Sequence, residues 1–196
     1  MRPRDENKEE AIRHHAIQMI VNDGFDGLSM QKLARAAGVS PATIYIYFKD
    51  RDDLIMNIAA KLSGELFDSI TMNFDPEMHF SEGLWIQWQN RVNYNLKHPL
   101  EMEFLELLRH SHLYPRMEDS VMKGFGKIMG QFMQNALKRK ELVEIPFEAY
   151  WAIAYAPLYQ LIKFHSQKRS HVNAEFSLTE DILKKTFDLA LKALTP

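Results

Sequence analysis

At 196 residues with 46% apolar content, the chain can form a sizeable core and has room for a small headpiece plus one larger helical domain. A net charge of −2 excludes general polyanion affinity, so any nucleic-acid binding must come from a local patch. The absence of cysteine excludes a disulfide framework and a thiol nucleophile. No apolar run approaches the roughly 20 residues that span a bilayer.

The N-terminus, MRPRDENKEE, is too charged for a signal peptide, so a cytoplasmic protein with no membrane partner is expected. Arg2 and Arg4 are candidates for a minor-groove arm or members of a disordered tail. Asn7 and Glu10 read as a helix start, and Ile12, Ala16, Met19 and Ile20 form one apolar face that ends before Gly24.

The segment LSMQKLARAAGVSPATIYIYFKDRDDL follows at 28–54. Ser29 precedes the helical pattern Met30, Leu33, Ala34, Ala37 and is expected to cap it. Gly38 stands where a left-handed residue ends that helix. Ser40 and Pro41 open a second short helix, with Ile44 and Phe48 facing the core. Ala42, Thr43, Tyr45, Ile46 and Tyr47 occupy the remaining arc. Asp50 caps a long helix running towards Phe74, which Asp75-Pro76 breaks.

Further helices are expected from Ser81 to His98, from Pro99 towards Tyr114, and from Pro115 to Lys140. Another spans Pro146 to Lys168, bent at Pro157, and the last begins at Ser177 with Glu180 completing a capping box. The pattern is all-α, with about nine helices and no strand or repeat. Residues 1–50 form the expected three-helix headpiece, and 51–196 the larger helical domain.

Two short helices joined by a tight turn, with a support helix behind, make a helix-turn-helix whose second helix enters a DNA major groove. Residues 28–49 contain Lys32, Arg35 and Lys49 and no acid, whereas residues 1–51 hold eight Lys/Arg against seven Asp/Glu. The basic signal is therefore a patch, which suffices to position a headpiece on phosphates. The candidate DNA-binding residues are Ser29, Lys32, Arg35, Ser40, Ala42, Thr43, Tyr45, Tyr47, Lys49 and Arg51. Thr43 and Tyr45 are expected near base edges, and Tyr47, Lys49 and Arg51 near phosphate.

The ordered set Gly24-Phe25, Leu28-Ser29-Met30, Ala37-Gly38-Val39-Ser40, Ile44-Tyr45, Tyr47-Phe48, Arg51 and Leu54 resembles the DNA-binding domain of the TetR family of transcriptional regulators. The likeness covers about the first quarter of the chain. Ala42 stands where the family often has Gly, Tyr47 where it often has His, and Arg51 where it often has Lys. The resemblance implies a regulator, a repressor released from a palindromic operator by a small-molecule inducer bound in the C-terminal domain. The alternative is a helical small-molecule-binding protein that no longer reads DNA.

An aromatic- and Met-rich set in the body, Trp85, Trp88, Met102, Phe104, Phe125, Met129, Phe132, Met133, Trp151 and Tyr155, is spaced to face one interior. By pattern alone these residues are core or ligand pocket, and the resemblance implies an inducer in this region. Ala149, Ala152, Ala156, Tyr159, Leu183, Phe187 and Leu191 on the last two helices are either monomer core or the interface of a homodimer. The resemblance favours the dimer, since family members pair through a four-helix bundle of their last helices. Nothing suggests an enzyme: there is no Gly-rich phosphate loop, no HExxH and no G-x-S-x-G. No cofactor is expected, and His110 and His112, two apart on a helix, are poorly placed to share a metal.

Overall fold

The computed structural model describes residues 6–196, with the side chains of 117–125 outside the description. Arg2, Arg4 and the side chain of Phe125 lie outside the described residues. The described elements are all helical: α1 (Glu6–Gly27), α2 (Met30–Ala36), α3 (Pro41–Tyr47), α4 (Arg51–Ile70), α5 (Phe80–Lys97), α6 (Pro99–Arg109), α7 (Tyr114–Lys138), α8 (Phe147–Ala154), α9 (Ala156–Ser166) and α10 (Glu180–Leu194). Among the described residues no helix is long and apolar enough to cross a membrane.

The chain divides into two compact units. The first holds the residues up to Glu65 together with His98–Met122; the second holds Leu66–Lys97 and Lys123–Pro196.

In the first unit α1 packs on α2, α3 and α6. Ile12, Ala16 and Ile20 of α1, Leu33 of α2, Ile44 and Phe48 around α3, and Leu54, Ile55 and Ile58 of α4 are all buried. Arg13 reaches across to α4, donating from Nε and Nη2 to Oδ1 of Asn57 at 3.1 and 2.8 Å. Lys61 donates to Glu10, whose carboxyl it holds below the usual range. The α1 backbone breaks at Gly24, where φ is +74°, a conformation that glycine adopts at no steric cost.

The second unit is built on α5, α8, α9 and α10 around an aromatic core that includes Phe80, Trp88, Phe132, Tyr150, Tyr155 and Phe187. The 75–79 loop is fastened to the end of α7. Asn135 donates to Glu77 Oε1 at 2.8 Å, and Arg139 to the Met78 carbonyl at 2.6 Å. Glu141 accepts from the Phe80 N–H at 2.8 Å and lies 2.6 Å from His79 Nδ1. One carboxylate thus caps the first turn of α5. Burial alone would raise its pKa, but the Phe80 N–H, His79 and Arg139 outweigh that and lower it.

Three boundaries differ from the sequence expectation. The helix expected from Pro146 to Lys168 is two helices, because Tyr155 leaves helical geometry (φ −127°, ψ −26°) two residues before Pro157. Pro157 has no N–H to carry the ladder past this point. The long α4 stops at Ile70, and Asn73 turns the chain with φ of +58°. The last helix starts at Glu180, where the Thr179 hydroxyl accepts from the Ile182 N–H at 3.3 Å; the cap is Thr179 rather than Ser177.

Candidate nucleic-acid interface

The helix-turn-helix is held in shape by local bonds that its own residue types dictate. Ala37 ends α2, and Gly38 follows at φ +66°. Its N–H reaches the Arg35 carbonyl at 3.3 Å, and the Val39 N–H reaches the Ala34 carbonyl at 2.9 Å. Both free carbonyls at the helix end are thereby satisfied, in an arrangement that needs a left-handed residue. Ser40 then caps α3: its Oγ accepts from the Thr43 N–H at 3.1 Å and lies 2.8 Å from Thr43 Oγ1. Pro41 occupies the first helical position, where no N–H is required.

The far end is fixed as firmly. Asp50 Oδ1 accepts from the Asp53 N–H, and Asp53 Oδ2 accepts from the Lys49 N–H, both at 2.8 Å. This reciprocal cap starts α4 and sets the backbone that carries Lys49. Ile44 and Phe48 anchor α3 to the core with exposures of 0% and 1%.

Anchoring one face leaves the other to solvent. Ala42, Tyr45 and Ile46 are exposed, while Thr43 and Tyr47 are half-buried. Lys32, Arg35, Ser40 and Lys49 are exposed too. The short α3 therefore presents an uncharged outer face, with cations on the flanking α2 and on the turn after it.

Two residues sit differently from expectation. Ser29 is half-buried, and its side chain makes no cap bond to α2. Arg51 is half-buried, and its guanidinium donates to the Phe25 carbonyl. In this conformation it ties α4 to the end of α1. Ile46, expected on the outer arc but not among the DNA-binding candidates, is the most exposed large apolar side chain of α3, at 65% against 54% for Tyr45. Its signal was its place two residues from both Ile44 and Phe48, on the side of the helix away from that buried face.

The ten aromatic and Met candidates do not share one core. Trp88, Phe132 and Tyr155 are buried members of the second unit's core, with Trp85, Met133 and Trp151 packed against it half-buried. Met129 is buried. Met102 and Phe104 belong to the first unit, where the Phe104 ring packs 6.4 Å from that of Phe25. A groove of about 220 Å³ lies beside α5, bordered by Trp85, Val92, Leu178 and Leu183.

The dimer candidates divide likewise. Leu183 and Phe187 are buried in the chain's own core, the latter ring 4.8 Å from Trp85 and 5.3 Å from Trp88. Ala149, Tyr159 and Leu191 are half-buried, and Ala152 and Ala156 are exposed. Phe147 on α8 and Leu189 on α10 are large and exposed, at 47% and 70%.

Comparison with known proteins agrees with this geometry. Residues 12–58, α1 through the first part of α4, match the family described as bacterial regulatory proteins, tetR family. An uncharacterized HTH-type transcriptional regulator of Haemophilus influenzae is 33% identical over 73 residues, 37% of this chain and 39% of that protein. The matched segment thus spans about two fifths of that relative's length. The fatty acid metabolism regulator protein of Bacillus subtilis is 23% identical over 66% of this chain and 68% of its own. A TetR family transcription regulator from Marinobacter aquaeolei superposes over 99% of this chain and 98% of its own, with a TM-score of 0.84 and 25% identity. These relatives are named as regulators rather than enzymes. Residues 12–58 thus match the DNA-binding domain of the tetR family of bacterial regulatory proteins, and the chain as a whole is similar in fold to a TetR family transcription regulator.

Proposed function

We propose that the protein is a repressor that binds a palindromic operator as a homodimer and leaves it when a small molecule binds in the body. Residues 1–50 read DNA in this account, and 51–196 carry the ligand and dimer surfaces. The observation that carries the DNA reading is the outer face of α3: Ala42, Tyr45 and Ile46 stand exposed on a helix capped at its start and anchored from behind.

Each residue has a role in this proposal. Lys32, Arg35, Lys49 and Tyr47 bind phosphate and set the register. Thr43 and Tyr45 face base edges, and Ile46 lies against a thymine methyl group, the apolar mark of the major groove. Ser40 and Arg51 hold the frame. Phe147, Ala152, Ala156 and Leu189 supply exposed apolar area for pairing, which gives two half-sites one or more turns apart. A ligand in the body shifts the two-state balance only by binding one state better.

The test is selection from sheared genomic DNA at near-physiological salt, followed by sequencing. An inverted repeat near one or a few promoters is the expected result. Uniform retention that disappears with added salt would sink the sequence-reading role. Light scattering on the full chain and on Leu189→Asp, an exposed position of α10, checks the pairing: a variant that stays dimeric would place the interface elsewhere.

A further inference from the structure

Arg51 carries the charge expected to meet phosphate at the head of α4, but its guanidinium is turned inward onto the Phe25 carbonyl and its Nε is buried. The fold brings another cation to that place. Arg116, at the start of α7, lies with Nη1 3.7 Å from Oδ2 of Asp52, on the first turn of α4. Both side chains are open to solvent, at 61% and 39%.

The two residues belong to one compact unit. The unit that holds the helix-turn-helix also includes His98–Met122. In it α6 packs on α1, and Phe104, Leu105, Leu108 and Leu113 are buried. The turn from α6 to α7 is set by its own residues. The Ser111 hydroxyl donates to the Leu108 carbonyl at 2.8 Å and accepts from the Leu113 N–H at 3.2 Å. The Arg116 N–H donates to the Leu113 carbonyl at 3.1 Å. This repeats the build of α3: a short ordered stretch, an apolar anchor beneath, and polar chemistry left outside. Arg116 is thus held at the edge of the interface rather than carried on a loose loop.

Charge points the same way. Residues 107–116 contain Arg109, His110, His112 and Arg116 and no acid. Glu106 lies 3.8 Å from both Arg109 and His110, so those two have a carboxylate on their own helix. Arg116 has Asp52, and an exposed pair of that length contributes little to stability. A guanidinium has five N–H donors in a fixed fork, so it can turn two of them to a phosphate and keep Asp52 as well. The head of α4 needs such a cation when DNA arrives. Asp50 and Asp53 are tied to backbone N–H groups there, whereas Asp52 meets Arg116. The same Asp53 carboxylate holds the Lys49 N–H, so Arg116 continues the edge that Lys49 begins.

We propose that Arg116 is a phosphate-binding residue of the DNA interface, supplied by α7 at the place that Arg51 does not fill. This rests on the DNA-binding reading above and adds to it a contact from outside the helix-turn-helix.

The test is fluorescence anisotropy of a labelled random-sequence duplex of about 40 base pairs, titrated with the full chain between about 50 and 200 mM salt. Phosphate contacts are independent of sequence, so no operator is needed. Arg116→Gln should weaken binding several-fold and lower the slope of log K against log salt by about 0.9 for each bound protomer. Its Tm should stay within about 4 °C of wild type, since the pair it breaks is exposed. Arg116→Lys keeps the charge and should keep the slope. Arg51→Gln should do the reverse of Arg116→Gln, lowering Tm and leaving the slope. An unchanged slope in Arg116→Gln, or a slope lost in Arg51→Gln alone, overturns the proposal. In an Asp52→Asn background Arg116→Gln should still lower the slope by about 0.9. No further drop there would show that Arg116 only neutralises Asp52, which also overturns it. Wild type sets the reference for both readings. If it fails to bind the duplex at about 50 mM salt, the DNA reading falls and this contact with it. If it binds and Arg116→Gln binds alike, the DNA reading stands and this contact alone falls.

Discussion

α3 and α5 use their residues in opposite ways. α3 is seven residues long and buries Ile44 alone within its span, with Phe48 just beyond its end. Its polar atoms are held by caps at the rim, and its outer face stays open. α5 is eighteen residues long and buries ten, among them Gln87, Asn90, Arg91 and Asn95. Its polar groups are turned inward onto backbone carbonyls and tyrosines: Asn90 Nδ2 donates to the Met72 carbonyl and Asn95 Nδ2 to that of Arg91, each at 2.8 Å. The difference separates two kinds of task. A helix that reads a large external partner keeps its chemistry outside and needs only a rigid backing. A helix that holds a core together carries its polar groups inward, where each must be matched or costs stability.

The largest effect that would test this contrast is loss of the backing. Phe48→Ala should cost roughly 3–5 kcal/mol of stability and remove DNA binding with it, measured by urea unfolding and a binding isotherm. A variant that unfolds but binds DNA at full affinity would deny that α3 depends on its anchor. Next comes the outer face. Lys49→Ala should leave stability within about 0.5 kcal/mol, weaken binding roughly tenfold, and lower the salt slope by about 0.9 per lost phosphate contact. An unchanged slope would show that Lys49 stands clear of the backbone. Ser40→Ala should cost about 1 kcal/mol in stability by removing the side-chain cap on the Thr43 N–H. If it instead changed operator preference with no loss of stability, Ser40 would be a reader rather than a cap.

Ile46 gives a smaller and sharper test. Ile46→Ala should weaken binding about fourfold, on a value near 0.8 kcal/mol per buried methyl, and so should uracil in place of the contacted thymine. The two changes together should do no more than one; additive losses would place Ile46 away from the methyl. The smallest effect lies in the second unit and in acid. The Glu141 carboxyl titrates lower in the folded chain than when unfolded, so its contribution is full above the ordinary carboxylate range and fades as pH falls through the folded value. Glu141→Gln should flatten the pH dependence of Tm below about pH 4.5 and change little at pH 7. A variant with the wild-type acid limb would mean that Glu141 is not the group responsible.

The frame of α2 and α3 was legible because its signals are local. Gly38 and Ser40-Pro41 each act within three or four residues of their own position, and the bonds at Ala34, Arg35 and Thr43 are the ones those residue types favour. Legibility failed where the partner is distant in sequence. Arg51 carries the charge of a phosphate contact, yet it donates to Phe25, 26 residues earlier. Gln87 and Arg91 on α5 are of residue types that are mostly exposed, so nothing local marks them as buried. Only the position of Tyr155, 68 residues beyond Gln87, reveals that they are core. Leu183 and Phe187 posed a different difficulty: an apolar helix face looks the same whether its own chain or a second copy covers it.

All three tryptophans of the chain, Trp85, Trp88 and Trp151, fall in the second unit. Indole emission is therefore a reporter of that unit alone, and the first unit is dark to it. Helical ellipticity sums over both. A denaturant titration followed at the two wavelengths needs no label to show whether the units come apart together. If the emission and ellipticity midpoints coincide, the units unfold as one cooperative body; if emission lags, the DNA-reading half melts first, unseen by fluorescence.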